Sequence, residues 1–156
     1  MDAHDSIDTL NQLIETCKDG EYGFDRSAEQ LHSLDAQHLF TRRAVAYHDA
    51  ARELQDLVQQ LGGKAAESGH LAATLHRGWV AVKAKLAETP DAAILEAAEN
   101  GEHCAKQRYE QALATSLPPP VRAVVEHQYS AVLRSHAQLR ALREDARGVV
   151  GVDGER

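Results

Sequence analysis

The sequence has few of the residues that build β-sheets, rigid loops or aromatic cores. Aromatic residues make up 4% of the 156 residues, and only four prolines and ten glycines interrupt the chain. Alanine and leucine dominate, and runs of β-branched residues are short. Because alanine and leucine are strong helix formers, the composition predicts an all-α domain that is long enough to bury a substantial core.

The sequence also shows no pattern typical of a disulfide framework, a secretory signal or a membrane span. The two cysteines, Cys17 and Cys104, are too few for a disulfide framework. The first residues, MDAHDSID, are acidic and contain no apolar stretch of the kind that a secretory signal needs. No apolar run approaches the ~20 residues that span a bilayer. We therefore predict a cytoplasmic protein with reduced thiols and no membrane association.

The formal net charge is −7 and is concentrated in the amino-terminal part of the chain. Residues 1–36 carry nine acidic and two basic side chains, which accounts for the whole excess. Four arginines lie near the end of the last predicted helix, where cations suit the helix dipole: Arg134, Arg140, Arg143 and Arg147. No basic patch suited to a phosphate backbone stands out, so we expect no nucleic-acid partner.

Apolar residues at helical spacing predict four long helices and one short helix. The long helices are expected at about 5–32, 36–61, 91–115 and 120–146, and the short one at about 70–87. Paired glycines at 62–63, Thr89–Pro90–Asp91 and the prolines at 118–120 mark the boundaries. We predict a single bundle domain over residues 1–147, with a flexible tail at 148–156.

Two topologies are compatible with these helices. In one, the short helix is a fifth member of a bundle that runs up and down throughout. In the other, it crosses the bundle and returns the chain to the end where the second long helix began, as in ferritin-like bundles. The second long helix is ~39 Å long, and the segment 63–89 can cover that distance. We therefore favour a ferritin-like four-helix bundle with a short crossover helix.

One carboxylate interrupts the apolar row of the first helix. Glu21 follows Cys17 by one turn and precedes Phe24, in a heptad row whose other members are apolar or small. An ionised carboxylate removed from water costs several kcal/mol unless a partner compensates it. We expect either that water reaches Glu21 or that a cation, a proton or a hydrogen-bond network lies beside it.

Polar residues on the inward rows of the other long helices fall at the same depth. If the chain crosses over, a rise of ~1.5 Å per residue places one from each helix ~15–18 Å from the same end. These four residues are Glu21, Tyr47, Glu102 and His136. Two more inward polar residues, Tyr109 and Gln128, are expected roughly two turns lower, in a second polar layer.

Three interpretations of this midplane cluster remain open. It is a hydrogen-bonded Glu–Tyr–His cluster that fixes helix register, a water-filled pocket, or a metal site. In the metal hypothesis Glu21, Glu102 and His136 bind iron or manganese, which carboxylates and imidazole suit. The neighbours of that site are Tyr47, Glu99, His103 and Gln128. The Glu-x-x-His pairs of di-iron bundles are not found at mid-helix, since the two matches lie at a helix end and in a loop.

Five segments together resemble a known family. They are KDGEYGF (18–24), LHRGW (75–79), ENGEHCA (99–105), LPPPVRAVVEHQY (117–129) and HAQLRALR (136–143). They resemble a bacterial ferritin-like family of four-helix-bundle proteins of unknown function, over about residues 5–145. The resemblance implies a ferritin-like bundle in a bacterial cytoplasm, with no assigned reaction. The positions it singles out are Glu21, His76, Glu102, Gln128 and His136. An acid usually follows the third-helix GE, where this chain has His103.

Three functional hypotheses follow. The first is a ferritin-like bundle without catalysis, serving in stress physiology or as a small assembly module. The second is a metal-dependent oxidase or peroxidase-like enzyme that uses Glu21, Glu102 and His136 as ligands. The third is an interaction protein that forms a homodimer through an exposed helix face. The chain has no Gly-rich phosphate loop, no Ser/His/Asp spacing and no Cys-x-x-Cys, so no other catalytic class is indicated.

Overall fold

The structure is a computed structural model that describes the backbone of residues 2–69 and 90–155, with side chains to residue 146. These residues form four α-helices and no strand: α1 (Ala3–Ala28), α2 (Leu34–Gln60), α3 (Asp91–Leu113) and α4 (Pro119–Glu155). The prediction of an all-α bundle with four long helices is confirmed. The short helix predicted at about 70–87, which contains His76 and Trp79, lies outside the described residues.

Helix ends differ from the sequence prediction by a few residues, except at the carboxyl terminus. The cap of α1 is Asp2, whose side chain accepts a hydrogen bond from the N–H of Asp5. Ser33 caps α2 by accepting from the N–H of Ala36. Helix α4 continues to Glu155, through the segment predicted as a tail. Glycines there lower helix propensity by about 1 kcal/mol each, but no proline removes a helical hydrogen bond.

The start of α3 decides between the two topologies. Asp91 accepts hydrogen bonds from the backbone N–H of His32 at 2.9 Å and of Ser33 at 2.8 Å, in the turn between α1 and α2. Helix α3 therefore begins at the end of the bundle where α2 begins, and the two helices run parallel. Parallel second and third helices require a crossover, so the ferritin-like order is confirmed.

The segment that follows α2 reverses direction and runs alongside α1. Gly63 lies against the side chain of Ile7. Three residues later, the N–H of Ala66 donates to the side chain of Asn11 at 2.8 Å. Residues 63–66 thus advance alongside α1 from its amino terminus towards its carboxyl terminus, which is the direction that the crossover requires.

The core beside the polar cluster is packed by three aromatic rings. The ring of Phe24 lies edge-on to Phe40 at 5.0 Å and stacks on Tyr47 at 6.1 Å between centroids. Helices α1 and α2 approach closely here, because a Cβ on Gly20 would lie 2.7 Å from the ring of Tyr47. This close approach explains the use of glycine inside α1 and holds the Tyr47 ring in place.

Asp91 predicts an acid-sensitive contact between the helix ends. Partial burial raises its pKa, but hydrogen bonds from His32 and Ser33 outweigh this and the pKa lies below the ordinary value of 3.8. Its stabilising effect is therefore present above pH 3.8 and is lost as the pH falls through the folded pKa. We expect Asp91→Asn to lower the free energy of unfolding by about 1 kcal/mol at neutral pH and to converge with the parent in acid. Urea titrations across this pH range measure both effects.

The exposed residue Asp25 supplies the control for this experiment. Asp25→Asn should leave the free energy of unfolding at neutral pH within about 0.5 kcal/mol of the parent. Equal acid sensitivity in the parent and in Asp91→Asn would contradict the assignment.

Candidate functional site

A buried carboxylate at the centre of the bundle is held by two donors from α2. Glu102 on α3 is 1% exposed. Its Oε2 accepts a hydrogen bond from Nη2 of Arg43 at 3.1 Å, and its Oε1 accepts one from the hydroxyl of Tyr47. The guanidinium of Arg43 also lies over the Tyr47 ring, 4.6 Å from the centroid. Two buried charges therefore neutralise each other, which compensates part of the cost of removing them from water.

The local sequence of α2 explains this arrangement. Arg43 follows Phe40 by three residues and precedes Tyr47 by four, so all three share the inward face of the helix. Sequence reasoning missed Arg43 as a member of this cluster, because it took only Tyr47 as an inward polar residue of the second helix. Its helical spacing was the signal that could have found it. Arginine suits this position because its planar guanidinium can pair with a carboxylate and stack on a ring together.

The protonation state of the phenol follows from its surroundings. Burial, and then the adjacent Glu102 carboxylate, raise the pKa of Tyr47 well above its usual value. Tyr47 therefore remains protonated and donates to Glu102. The predicted Glu–Tyr–His cluster is a Glu–Tyr–Arg cluster of Glu102, Tyr47 and Arg43, and His136 is not part of it.

A second polar layer lies below this cluster, as the sequence predicted. The hydroxyl of Tyr109 donates to Oε1 of Gln128 at 2.7 Å, and the amide of Gln128 donates to Oε1 of Glu53 at 2.7 Å. The thiol of Cys17 lies 3.2 Å from the Tyr109 oxygen. Because the single proton of Tyr109 is directed to Gln128, the thiol donates. The layer is a continuous chain of hydrogen bonds from the core to the exposed Glu53.

The two cysteines are predicted to react at very different rates. Burial raises the pKa of Cys17 to about 12, whereas Cys104 is exposed. The reactive thiolate of Cys17 is therefore scarce at neutral pH. We expect a maleimide to label one thiol per native chain, at Cys104, and two after denaturation. Mass spectrometry of labelled peptides tests this, and native labelling of Cys17 would contradict it.

Glu21 is not an interior carboxylate, which corrects the sequence prediction. Its side chain is 32% exposed and pairs with His48 at 3.1 Å and with Lys18 at 3.8 Å. The position that faces the core in this turn belongs to Gly20, against which the Tyr47 ring packs. Glu21 is therefore displaced towards the flank between α1 and α2, where it is partly exposed and lies beside His48 and Lys18.

His136 belongs to a separate group of charges. Its Nε2 lies 3.9 Å from Oε1 of Glu99, and the ring centroid of His103 is 6.3 Å away. The other oxygen of Glu99 lies 3.1 Å from Nε of Arg143, in an orientation that makes an ion pair without a well-aligned hydrogen bond. Ser135 takes the fully buried position on this turn of α4. His136 therefore lies at the edge of the core and pairs with Glu99.

The three predicted metal ligands have different partners. Glu21 pairs with His48, Glu102 with Arg43 and His136 with Glu99. Within residues 2–69 and 90–146, no group of three or more His, Cys, Asp or Glu side chains could hold a metal ion. The cation beside Glu102 is already supplied by Arg43. This donor set does not fit the carboxylate-bridged centre of di-iron bundles.

The helices and their crossover order define a ferritin-like four-helix bundle, and solved structures agree. One is the bacterioferritin-related protein of Bacteroides fragilis, a dodecameric thioferritin, with 17% identity and a TM-score of 0.75 over 99% of this chain and 91% of that one. A family model matches residues 5–115. The chain therefore belongs to that family, DUF2383, whose description is a domain of unknown function.

A second solved structure contains the same fold beside another domain. It is a two-domain protein of Anabaena variabilis with DJ-1/ThiJ/PfpI-like and ferritin-like domains, at 14% identity and a TM-score of 0.76. The match covers 95% of this chain and 38% of that protein. No curated protein matches the chain. Among the described helices, none has both the length and the apolar character to cross a membrane.

Proposed function

We propose that this protein is a non-catalytic ferritin-like assembly module, in which an internal guanidinium occupies the role that a metal ion has in di-iron bundles. The observation that carries the proposal is that both carboxylate oxygens of Glu102 are bound, one by Arg43 and one by Tyr47. In a carboxylate-bridged centre those oxygens would be the ligands. Here they tie α3 to α2 instead, so the polar cluster serves to fix the register of two helices.

Electrostatics support this reading over a metal-dependent oxidase. Two unit charges of the same sign 4 Å apart repel by ~4 kcal/mol at an effective dielectric of 20, and a divalent ion would meet about twice that beside Arg43. The protonated phenol of Tyr47 and the protonated thiol of Cys17 are poor ligands as they stand. To bind here, a metal ion would have to displace Arg43 from Glu102, and Tyr47 and Cys17 would have to lose their protons before they could serve as ligands.

The assembly part of the proposal rests on the fold. The neighbour from Bacteroides fragilis is a dodecamer, and the neighbour from Anabaena variabilis carries its ferritin-like domain beside another domain. Bundles of this fold thus occur as parts of larger assemblies. We propose that the protein forms a homo-oligomer in the bacterial cytoplasm and acts in stress physiology.

Metal analysis tests the proposal against its rival. Protein purified without added metal, and then incubated anaerobically with ferrous or manganous salt and desalted, should retain less than about a tenth of an equivalent of Fe, Mn or Zn per chain. The matched variant Glu102→Gln should give the same value. Stoichiometric iron or manganese in the parent that is lost in Glu102→Gln would overturn the proposal in favour of a metal-dependent oxidase.

A further inference from the structure

The middle of the outward side of α2 carries a self-complementary pair of charges, one on each side of an exposed aliphatic residue. We define the α2 outer face as five exposed residues on the side of α2 away from the core: His38, Arg42, Val45, Asp49 and Arg52. We propose that this face forms a two-fold symmetric contact with the same face of a second copy of the chain. The contact is independent of whether the bundle binds metal.

The centre of the face is an exposed aliphatic residue. Val45 is 56% exposed and lies near the middle of α2, whose inward side is packed against the core. Among the described residues, only two other large apolar side chains are exposed, Leu34 and Leu133. A single exposed valine is ordinary by itself. The charges on either side of Val45 indicate that a second copy of the chain covers this face.

Arg42 and Asp49 flank Val45 and have no ion-pair partner among the described residues. They are seven residues apart, ~10.5 Å along the helix, so they cannot pair with each other within one chain. At 100° per residue both lie on the same flank of Val45, 60° and 40° from it. One positive and one negative side chain thus stand at similar distances before and after the same exposed apolar residue.

A two-fold axis at Val45 brings these charges together. If two copies of α2 pack antiparallel, Arg42 lies ~4.5 Å before the axis and Asp49 lies ~6 Å after it. The axis therefore places Arg42 opposite Asp49 of the partner subunit, and the same pair repeats on the other side. This axis maps the flank of α2 that carries Arg42 and Asp49 onto the same side of the contact in the partner subunit. Both Arg42–Asp49 pairs therefore form together. In a parallel arrangement the two-fold axis would exchange the flanks, so Arg42 would meet neither Asp49 nor Arg42 of the partner subunit and no charge pair would form.

The extent of the face indicates a weak contact. From His38 to Arg52 it spans ~21 Å of helix, with one aliphatic residue at its centre. Such a contact falls below the ~1,200 Å² of total buried surface that marks stable pairs. We therefore expect a reversible dimer whose affinity depends strongly on the two charge pairs and falls with salt.

Charge reversal tests the contact in solution. Sedimentation equilibrium at low salt, up to about 0.5 mM protein, should show a monomer–dimer equilibrium. Arg42→Asp or Asp49→Arg alone should raise the dissociation constant at least tenfold, because each sets two like-charge pairs across the axis. The double reversal Arg42→Asp with Asp49→Arg should return it to within about threefold of the parent. A strict monomer, or single variants that dimerise like the parent, would overturn the proposal.

Cross-linking tests the position of the axis. In a Cys104→Ser background, Val45→Cys should give a covalent dimer on mild oxidation, since the two copies of this residue face each other. The control Gln59→Cys, also exposed on α2, lies ~21 Å from the axis and so ~42 Å from its copy, and should remain monomeric. Covalent dimers from Gln59→Cys alone, or from neither variant of a protein that dimerises, would place the interface elsewhere.

Discussion

Replacement of Arg43 by methionine is expected to lower the free energy of unfolding by about 3–5 kcal/mol. Methionine fills a similar volume but leaves Glu102, which is 1% exposed, as an uncompensated buried carboxylate. The loss of the cation and the loss of the 3.1 Å hydrogen bond act in the same direction. Urea unfolding followed by far-ultraviolet circular dichroism measures the change. The free energy of unfolding of most small domains is about 5–15 kcal/mol, so this variant should be close to the limit of folding.

A second substitution separates the buried charge from packing. Adding Glu102→Leu to Arg43→Met removes both charges, and adding Tyr47→Phe removes the donor left without an acceptor. We expect this apolar triple variant to recover most of the stability that Arg43→Met loses, because well-packed apolar residues often replace a buried ion pair at little cost. A loss below about 1 kcal/mol for Arg43→Met, or no recovery in the triple variant, would show that the pair does not hold the bundle through its charges.

Two glycines in α1 should respond to alanine in opposite directions. A Cβ on Gly20 would lie 2.7 Å from the buried ring of Tyr47, whereas nothing lies within 4 Å of a Cβ on Gly23. We expect Gly20→Ala to cost about 1–3 kcal/mol, because the ring or the helix must move. Gly23→Ala should stabilise the protein by about 0.5–1 kcal/mol, through the higher helix propensity of alanine.

The pair is its own control, since both changes add one methyl group to the same helix. Thermal and urea unfolding of the two variants should therefore differ in sign relative to the parent. If Gly20→Ala is as stable as Gly23→Ala, the ring of Tyr47 is free to shift, and the close approach of α1 and α2 does not position the site. In a variant with a smaller residue in place of Tyr47, Gly20→Ala should lower the free energy of unfolding by less than it does in the parent.

Helical architecture was predictable because it depends on local signals that repeat along the chain. Four apolar stripes at helical spacing located the long helices, and Pro90 marked the start of one of them. The topology followed from a length, since the segment 63–89 can span α2. The hydrogen bonds from His32 and Ser33 to Asp91 show the same order. The Tyr109–Gln128 contact was also predictable, because both lie on inward rows at one depth.

The polar cluster was only partly predictable, for a physical reason. A heptad row assigns Glu21 to the core, but a helix turns 100° per residue and the row drifts across its face. Gly20 allows the ring of Tyr47 to take the inward place in that turn, and Glu21 pairs with His48 instead. Arg43 was overlooked because charge suggested a surface position. Burial of arginine depends on a carboxylate from another helix, which no local pattern of α2 contains.

By itself, the sequence determined the helical class, the number of long helices in the described residues and the chain order that places α2 and α3 parallel. These depend on propensity, spacing and reach along one chain. Only the tertiary structure decided which partners Glu21, Glu102 and His136 have. Glu102 binds Arg43 and Tyr47, while Glu21 and His136 pair elsewhere. The choice is set by small rotations of packed helices, because a shift of a few tens of degrees exchanges the interior of a bundle for its edge.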